Sequence, residues 1–120
     1  VKEKYISVDN LQGIFEEAID NNKYKKDVSG RLEIIDHELI NKFDQSFGNR
    51  IVTQTIDFAG VFTNAGGSLT DALDYQISSK ILRKVISSDD SDALRDLREL
   101  MKDYPRSVYL IDKRIKELEL

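Results

Sequence analysis

At 120 residues and 40% hydrophobic, the chain has the size of one domain and can bury about two-thirds of its unfolded surface. A formal net charge of −4 with 33% charged residues argues against a general binder of nucleic acid or anionic membrane, because phosphate contacts need a basic face. The absence of cysteine excludes disulfides and thiolate metal sites and fits a reducing cytoplasm. No run approaches the roughly eighteen apolar residues of a membrane span, and no signal peptide is visible. The chain begins at Val1 rather than at a methionine, from which a processed or excised piece is expected.

In chain order, the alternating Lys4 to Val8 suits a short strand. Asp9 and Gln12 then resemble a capping box for a first candidate helix that buries Val8, Leu11, Ile14, Phe15, Ala18 and Ile19. Residues 20–30 carry Asn21-Asn22, a charge cluster from Lys23 to Asp27 and Ser29-Gly30, with no apolar period, and are expected to form a flexible exposed loop. Leu32 to Ile35 is an apolar run whose length fits a strand pairing with the first one or an extended lead-in.

Asp36 is the expected N-cap of a second helix that buries Leu39, Ile40, Phe43 and Phe47 and stops at Gly48. Gly48 allows the chain to turn into a third helix carrying Arg50, which Asn64 to Gly67 ends. On that helix Arg50, Thr53, Gln54 and Asp57 form one stripe, while Ile51, Val52, Thr55, Phe58, Ala59 and Phe62 surround the other side. Ser68 and Asp71 resemble a capping box for a fourth helix running to about Ile86. Its two apolar seams, Leu73, Ile77, Ile81 and Val85 on one side and Tyr75, Leu82 and Ile86 on another, make it the expected central core helix.

Ser87 to Asp92 reads as a polar linker with an acidic helix start, followed by a fifth helix burying Ala93, Leu94, Leu97, Leu100, Met101 and Tyr104 and stopped by Pro105. Ser107 is the expected cap of a last helix with Val108, Ile111, Ile115 and Leu118 inward and Lys113, Arg114 and Lys116 outward. The sum is a mainly α single domain over 1–120, a bundle of five to six helices with room for one short two-stranded β element near the N-terminus.

Motifs that carry chemistry are mostly missing. There is no Gly-x-x-x-x-Gly-Lys-Ser/Thr phosphate loop, and Gly66-Gly67 lacks the lysine of a phosphate cradle. His37-Glu38 has Asn41 where a zinc helix needs its second histidine, and Asp89, Asp90 and Asp92 have Leu94 where a calcium loop needs glycine. His37 is read as a first-turn surface residue, and the basic group Arg106, Lys113, Arg114 and Lys116 as a solvated helix face rather than a nucleic-acid contact. Arg50 differs in kind, because a cation in the first turn opposes the helix dipole and needs a counter-charge. That charge is either internal, from Asp57 or Asp44, or an external phosphate; the residues alone favour the internal pair.

Gly30-Arg-Leu-Glu-Ile-Ile-Asp36, Phe43-Asp-Gln-Ser-Phe-Gly-Asn-Arg-Ile51, Asn64-Ala-Gly-Gly67 and Ala72-Leu-Asp-Tyr-x-x-Ser-Ser-Lys-Ile-Leu-Arg-Lys84 occur in that order. Together, from residue 28 to the end, they resemble the C-terminal end of bacterial AAA+ ATPases related to the McrB-type NTPases of modification-dependent restriction systems. The resemblance implies a helical lid following an α/β nucleotide-binding core. It implies that Arg50 is the "sensor 2" arginine reaching the γ-phosphate, with Asn49 and Gln54 beside it, and that ATP or GTP with Mg2+ binds the full-length parent. The implied partners are that upstream domain, neighbouring subunits of a ring and, by analogy, DNA or a nuclease subunit, with no membrane. Without Walker motifs the chain cannot hydrolyse nucleotide by itself. A free-standing helical protein-protein interaction module is the alternative.

Overall fold

The computed structural model describes residues 24–119, which form five α-helices and no strand. These are α1 (Lys25–Phe43), α2 (Gly48–Asn64), α3 (Leu69–Gln76), α4 (Ser91–Leu100) and α5 (Pro105–Leu118). The strand expected at Lys4 to Val8 and the first candidate helix lie outside the described residues, as do residues 20–23 of the expected loop.

The largest departure from the sequence reading is α1. Val28, Leu32, Ile35 and Leu39 recur at four, three and four residues and are all buried, so one helical stripe runs through what was expected to be loop, strand and cap. The charges of Lys25, Lys26 and Asp27 lie on the exposed side of the same turns, and Gly30 is exposed with open space around it. Asp36 is therefore inside the helix rather than at its start, His37 is an exposed mid-helix residue, and Ile40, expected to be buried, is 46% exposed. The helix ends five residues before Gly48, where Asp44 takes the left-handed conformation with φ 55°. Its N–H donates to the Ile40 carbonyl at 3.2 Å, and that of Gln45 to Leu39 at 3.2 Å, closing the last turn.

The third element follows expectation. Gly48 at φ 71° turns the chain into α2, which ends at Asn64, and Ser68 caps α3 by accepting from the Asp71 N–H at 3.0 Å. Gly67 in the link between them packs under the Phe62 ring, which would have to shift to admit a Cβ there. Thr55 is fully buried on α2, and its hydroxyl has no hydrogen-bond partner among the described residues. Thr55→Val, which keeps the shape and removes the unpaired polar atom, should leave stability unchanged or raise it by about 1–2 kcal/mol in a denaturant titration. A clear loss would show that the hydroxyl is bonded in solution.

Helix α3 is central, as expected, but not regular. Ala72, Leu73, Ile77, Ile81, Leu82 and Val85 are all at most 2% exposed. The helix widens to a π turn over Ile77–Ile81 and tightens to a 3-10 turn over Leu82–Lys84, which resets the phase of its apolar residues. Leu82 joins the core while Tyr75, placed on the same seam by α-helical spacing, is 48% exposed. The hydroxyls of Ser78 and Ser79 both donate to the Tyr75 carbonyl at the entry to the wide turn, at 3.2 and 2.5 Å. Ile81→Ala in the middle of this segment should destabilise by about 2–5 kcal/mol through lost burial and a cavity. A loss under about half a kcal/mol on chemical denaturation would remove the segment from the core.

Helix α4 is capped by Asp90, whose carboxylate accepts the Ala93 N–H at 3.0 Å, and buries Ala93, Leu94 and Leu97. Pro105 is the first residue of α5, where its missing N–H costs nothing. The helix pairs α4 with α5 and α2 with α3 are each joined by short links; α1 lies against α2 and α4, and α5 against α3 and the π turn. Ser107, expected to cap α5, lies within it; Tyr104 occupies the N-cap and supplies no side-chain bond. The cap comes instead from α3. The buried Asp74 carboxylate accepts the Arg106 N–H at 2.8 Å, the Ser107 N–H at 2.9 Å and the Ser107 hydroxyl at 2.8 Å.

No described helix is long and apolar enough to cross a membrane.

Candidate functional site

The start of α2 is built from three neighbouring features. Phe47, only 6% exposed, anchors the link to the core, and Gly48 reverses it. Asp36, eleven residues back on α1, accepts the Ser46 hydroxyl at 3.0 Å and the Phe47 N–H at 3.3 Å. The link is thereby fixed between a helix interior and a helix start, and Asn49 and Arg50 emerge on the first turn as exposed residues.

The Arg50 side chain makes no ion pair or hydrogen bond among the described residues. The internal counter-charge that the residues favoured is absent: Asp44 caps the end of α1, and Asp57, half-buried one turn beyond Gln54, does not reach it. No described side chain caps α2 either, so its backbone N–H groups, uncapped among the described residues, and the Arg50 cation occupy the same end of a 17-residue helix. Chemically, this end favours an anion, and a guanidinium can grip phosphate or carboxylate oxygens in pairs.

A cleft of about 370 Å³ lies beside it, lined by Glu33, Asp36, Ser46, Gly48 and Asn49 among others. Two carboxylates on its wall make it a poor place for a phosphate. Arg50 is not part of that wall. Thr53 and Gln54 are exposed one turn on, so the structure brings Asn49, Arg50 and Gln54 to the outward side of one helix end.

Five other cations are engaged in ion pairs: Arg31, Lys42, Arg95, Arg98 and Arg114. Tyr104 and Asp27 hold the Arg31 guanidinium above its ordinary pKa by hydrogen bonds at 3.1 and 2.9 Å, and Asp96 does the same for the Lys42 ammonium at 2.9 Å. Arg98 is raised by its bond to Asp112. Arg114, expected to point outward, is instead bound to the linker before α4, donating to the Ser88 and Ser87 carbonyls at 3.0 Å each and pairing with Asp89 at 2.9 Å. The acidic run considered as a calcium loop is divided among those tasks, with Asp90 capping α4 and Asp92 near Arg95 at 3.5 Å.

Asp36, expected to cap its own helix, serves the Ser46–Phe47 link instead, and Asp74 was given no role from the sequence. Asp74 looks locally like any helix residue, and only the proline at 105 hints that a cap must come from elsewhere.

No curated protein and no solved structure matches the chain. A family model described as a domain of unknown function (DUF8727) matches residues 2–120, and the chain belongs to that family.

Proposed function

We propose that the chain is the C-terminal helical lid of a larger AAA+ NTPase of the restriction-system type, non-catalytic alone, in which Arg50 senses the γ-phosphate of a nucleotide held by an upstream α/β core. The observation that carries this reading is Arg50 itself: exposed on the first turn of α2, unpaired among the described residues, and set where a cation gains nothing from the helix. A triphosphate delivered from outside would satisfy both the guanidinium and the uncapped turn. ATP or GTP would supply the bond to be cleaved, and its Mg2+ would be held by the upstream core.

The lid reading also gives the nucleotide a mechanical consequence. Phe47, Asp36 and the α1–α2 link fix the first turn of α2 to the body of the bundle, so a pull on Arg50 moves the helices as one unit. The neighbours in such an assembly are the core of the same chain and adjacent subunits of a cytoplasmic ring, with DNA or a nuclease subunit beyond them.

The exposed Ile34 and Ile40 on α1, at 57% and 46%, also favour a free-standing interaction module. The two readings separate in one experiment on the full polypeptide encoded by the reading frame. Arg50→Ala should cut nucleotide turnover while leaving the melting temperature in place. A reading frame lacking a phosphate loop upstream would favour the interaction module.

A further inference from the structure

Helix α5 carries Arg106, Lys113, Arg114 and Lys116 against Asp112 and Glu117, so it is locally positive in a chain of net charge −4. Its acids are turned aside: Asp112 binds Arg98 on α4, and Glu117 lies 4.0 Å from Arg114. Arg114 is itself bound to the linker before α4. What remains is a stripe of Arg106, Tyr109, Lys113 and Lys116, spaced by three, four and three residues, all exposed and covering about 15 Å of helix. None of its three cations has an ion pair among the described residues.

Aromatic rings are interleaved with those cations. Tyr109 is 66% exposed and has no ring partner among the described residues. Arg106 lies over the Tyr75 ring at 5.7 Å, and Tyr75 stacks on Phe58 at 5.4 Å, which in turn stacks on Phe62 at 5.5 Å. The ladder runs from the core to the surface and holds the Arg106 guanidinium against a fixed aromatic plane, while Asp74 fixes the backbone of the same residue. Cations without ion pairs among the described residues, next to an exposed ring and an arginine already positioned by stacking, are complementary to a flexible polyanion that carries its own flat groups.

We propose that the outward stripe of α5, Arg106, Tyr109, Lys113 and Lys116, binds single-stranded nucleic acid, the cations taking phosphates and Tyr109 stacking on a base. Net charge pointed the other way at the level of the whole chain. The local field decides, because at physiological salt charges more than about 8 Å away are largely screened. This proposal does not depend on Arg50 or on the lid reading.

The test is fluorescence anisotropy of a labelled oligothymidylate with the 120-residue chain. Binding is expected at about 50 mM salt and should weaken as salt rises, with a log–log slope of about −2 for three cations on a single strand. Tyr109→Ala should lower affinity about tenfold. The triple change Arg106→Gln, Lys113→Gln and Lys116→Gln should abolish binding, whereas Arg50→Ala should leave it unchanged. All these positions are exposed, so each variant should melt with the parent chain. No binding at low salt, full binding by the triple variant or by Tyr109→Ala, or equal competition by polyglutamate would each overturn the proposal, the last by showing a surface for acidic protein.

Discussion

Asp74→Ala should destabilise the fold by about 3–5 kcal/mol, more than any surface change, because three donors lose one acceptor at once. The carboxylate is 7% exposed and accepts two consecutive backbone N–H groups and a hydroxyl at the start of α5. An ordinary N-cap contributes about 1 kcal/mol, but it acts at a solvated helix end, where water can replace it. Here Ser107 is fully buried, so its N–H and hydroxyl would be left without a partner. Asp74→Asn keeps one acceptor oxygen and should lose less, about 1–3 kcal/mol. Asp71→Ala, an exposed change in the first turn of the same helix, should cost about half a kcal/mol and serves as the reference. The readout is the urea midpoint at constant slope. If Asp74→Ala and Asp71→Ala behave alike, the junction between α3 and α5 is held by packing alone.

Arg50→Ala should act on chemistry instead. In the parent NTPase of the proposed function, losing a guanidinium that meets developing charge on the γ-phosphate should lower turnover about a hundredfold or more. Stability should change by less than about half a kcal/mol, because the side chain is exposed and has no partner among the described residues. Arg50→Lys tests the geometry: it keeps the charge, loses the planar fork, and should recover only part of the rate. Equal losses in turnover and in melting temperature would make Arg50 a structural residue and end the sensor reading. Gln54 and Asn49 occupy the same exposed end, so their alanine variants should affect affinity for nucleotide more than the fold.

Local punctuation was legible and long-range partners were not. Gly48, Ser68 and the acidic residues before α4 each mark a boundary that the structure keeps, because a positive φ, a side-chain cap and a carboxylate at a helix start act within one turn. The stripe of Arg50 and Gln54 opposite Thr55 and Ala59 was equally visible, since it needs only the helical period. The reading failed at α1, where an exposed Gly30 and the charges of residues 25–27 masked an apolar spacing of four, three and four residues that runs beneath them. It failed again at Arg114, whose partners are two carbonyls and a carboxylate more than twenty residues away.

By itself the sequence determined a mainly α chain, the span of α2, the burial of Leu73, Ile77 and Ile81, and the placing of an arginine at a helix start. The tertiary structure decided that Arg50 has no counter-charge among the described residues, that α3 widens into a π turn, and that Asp36 and Asp74 serve neighbouring segments rather than their own helix ends. The physical reason is range. Dihedral preferences, caps and periodicity act over a few residues, whereas the partner of a charged or hydrogen-bonding group is whichever side chain the packing of other helices brings within about 3 Å.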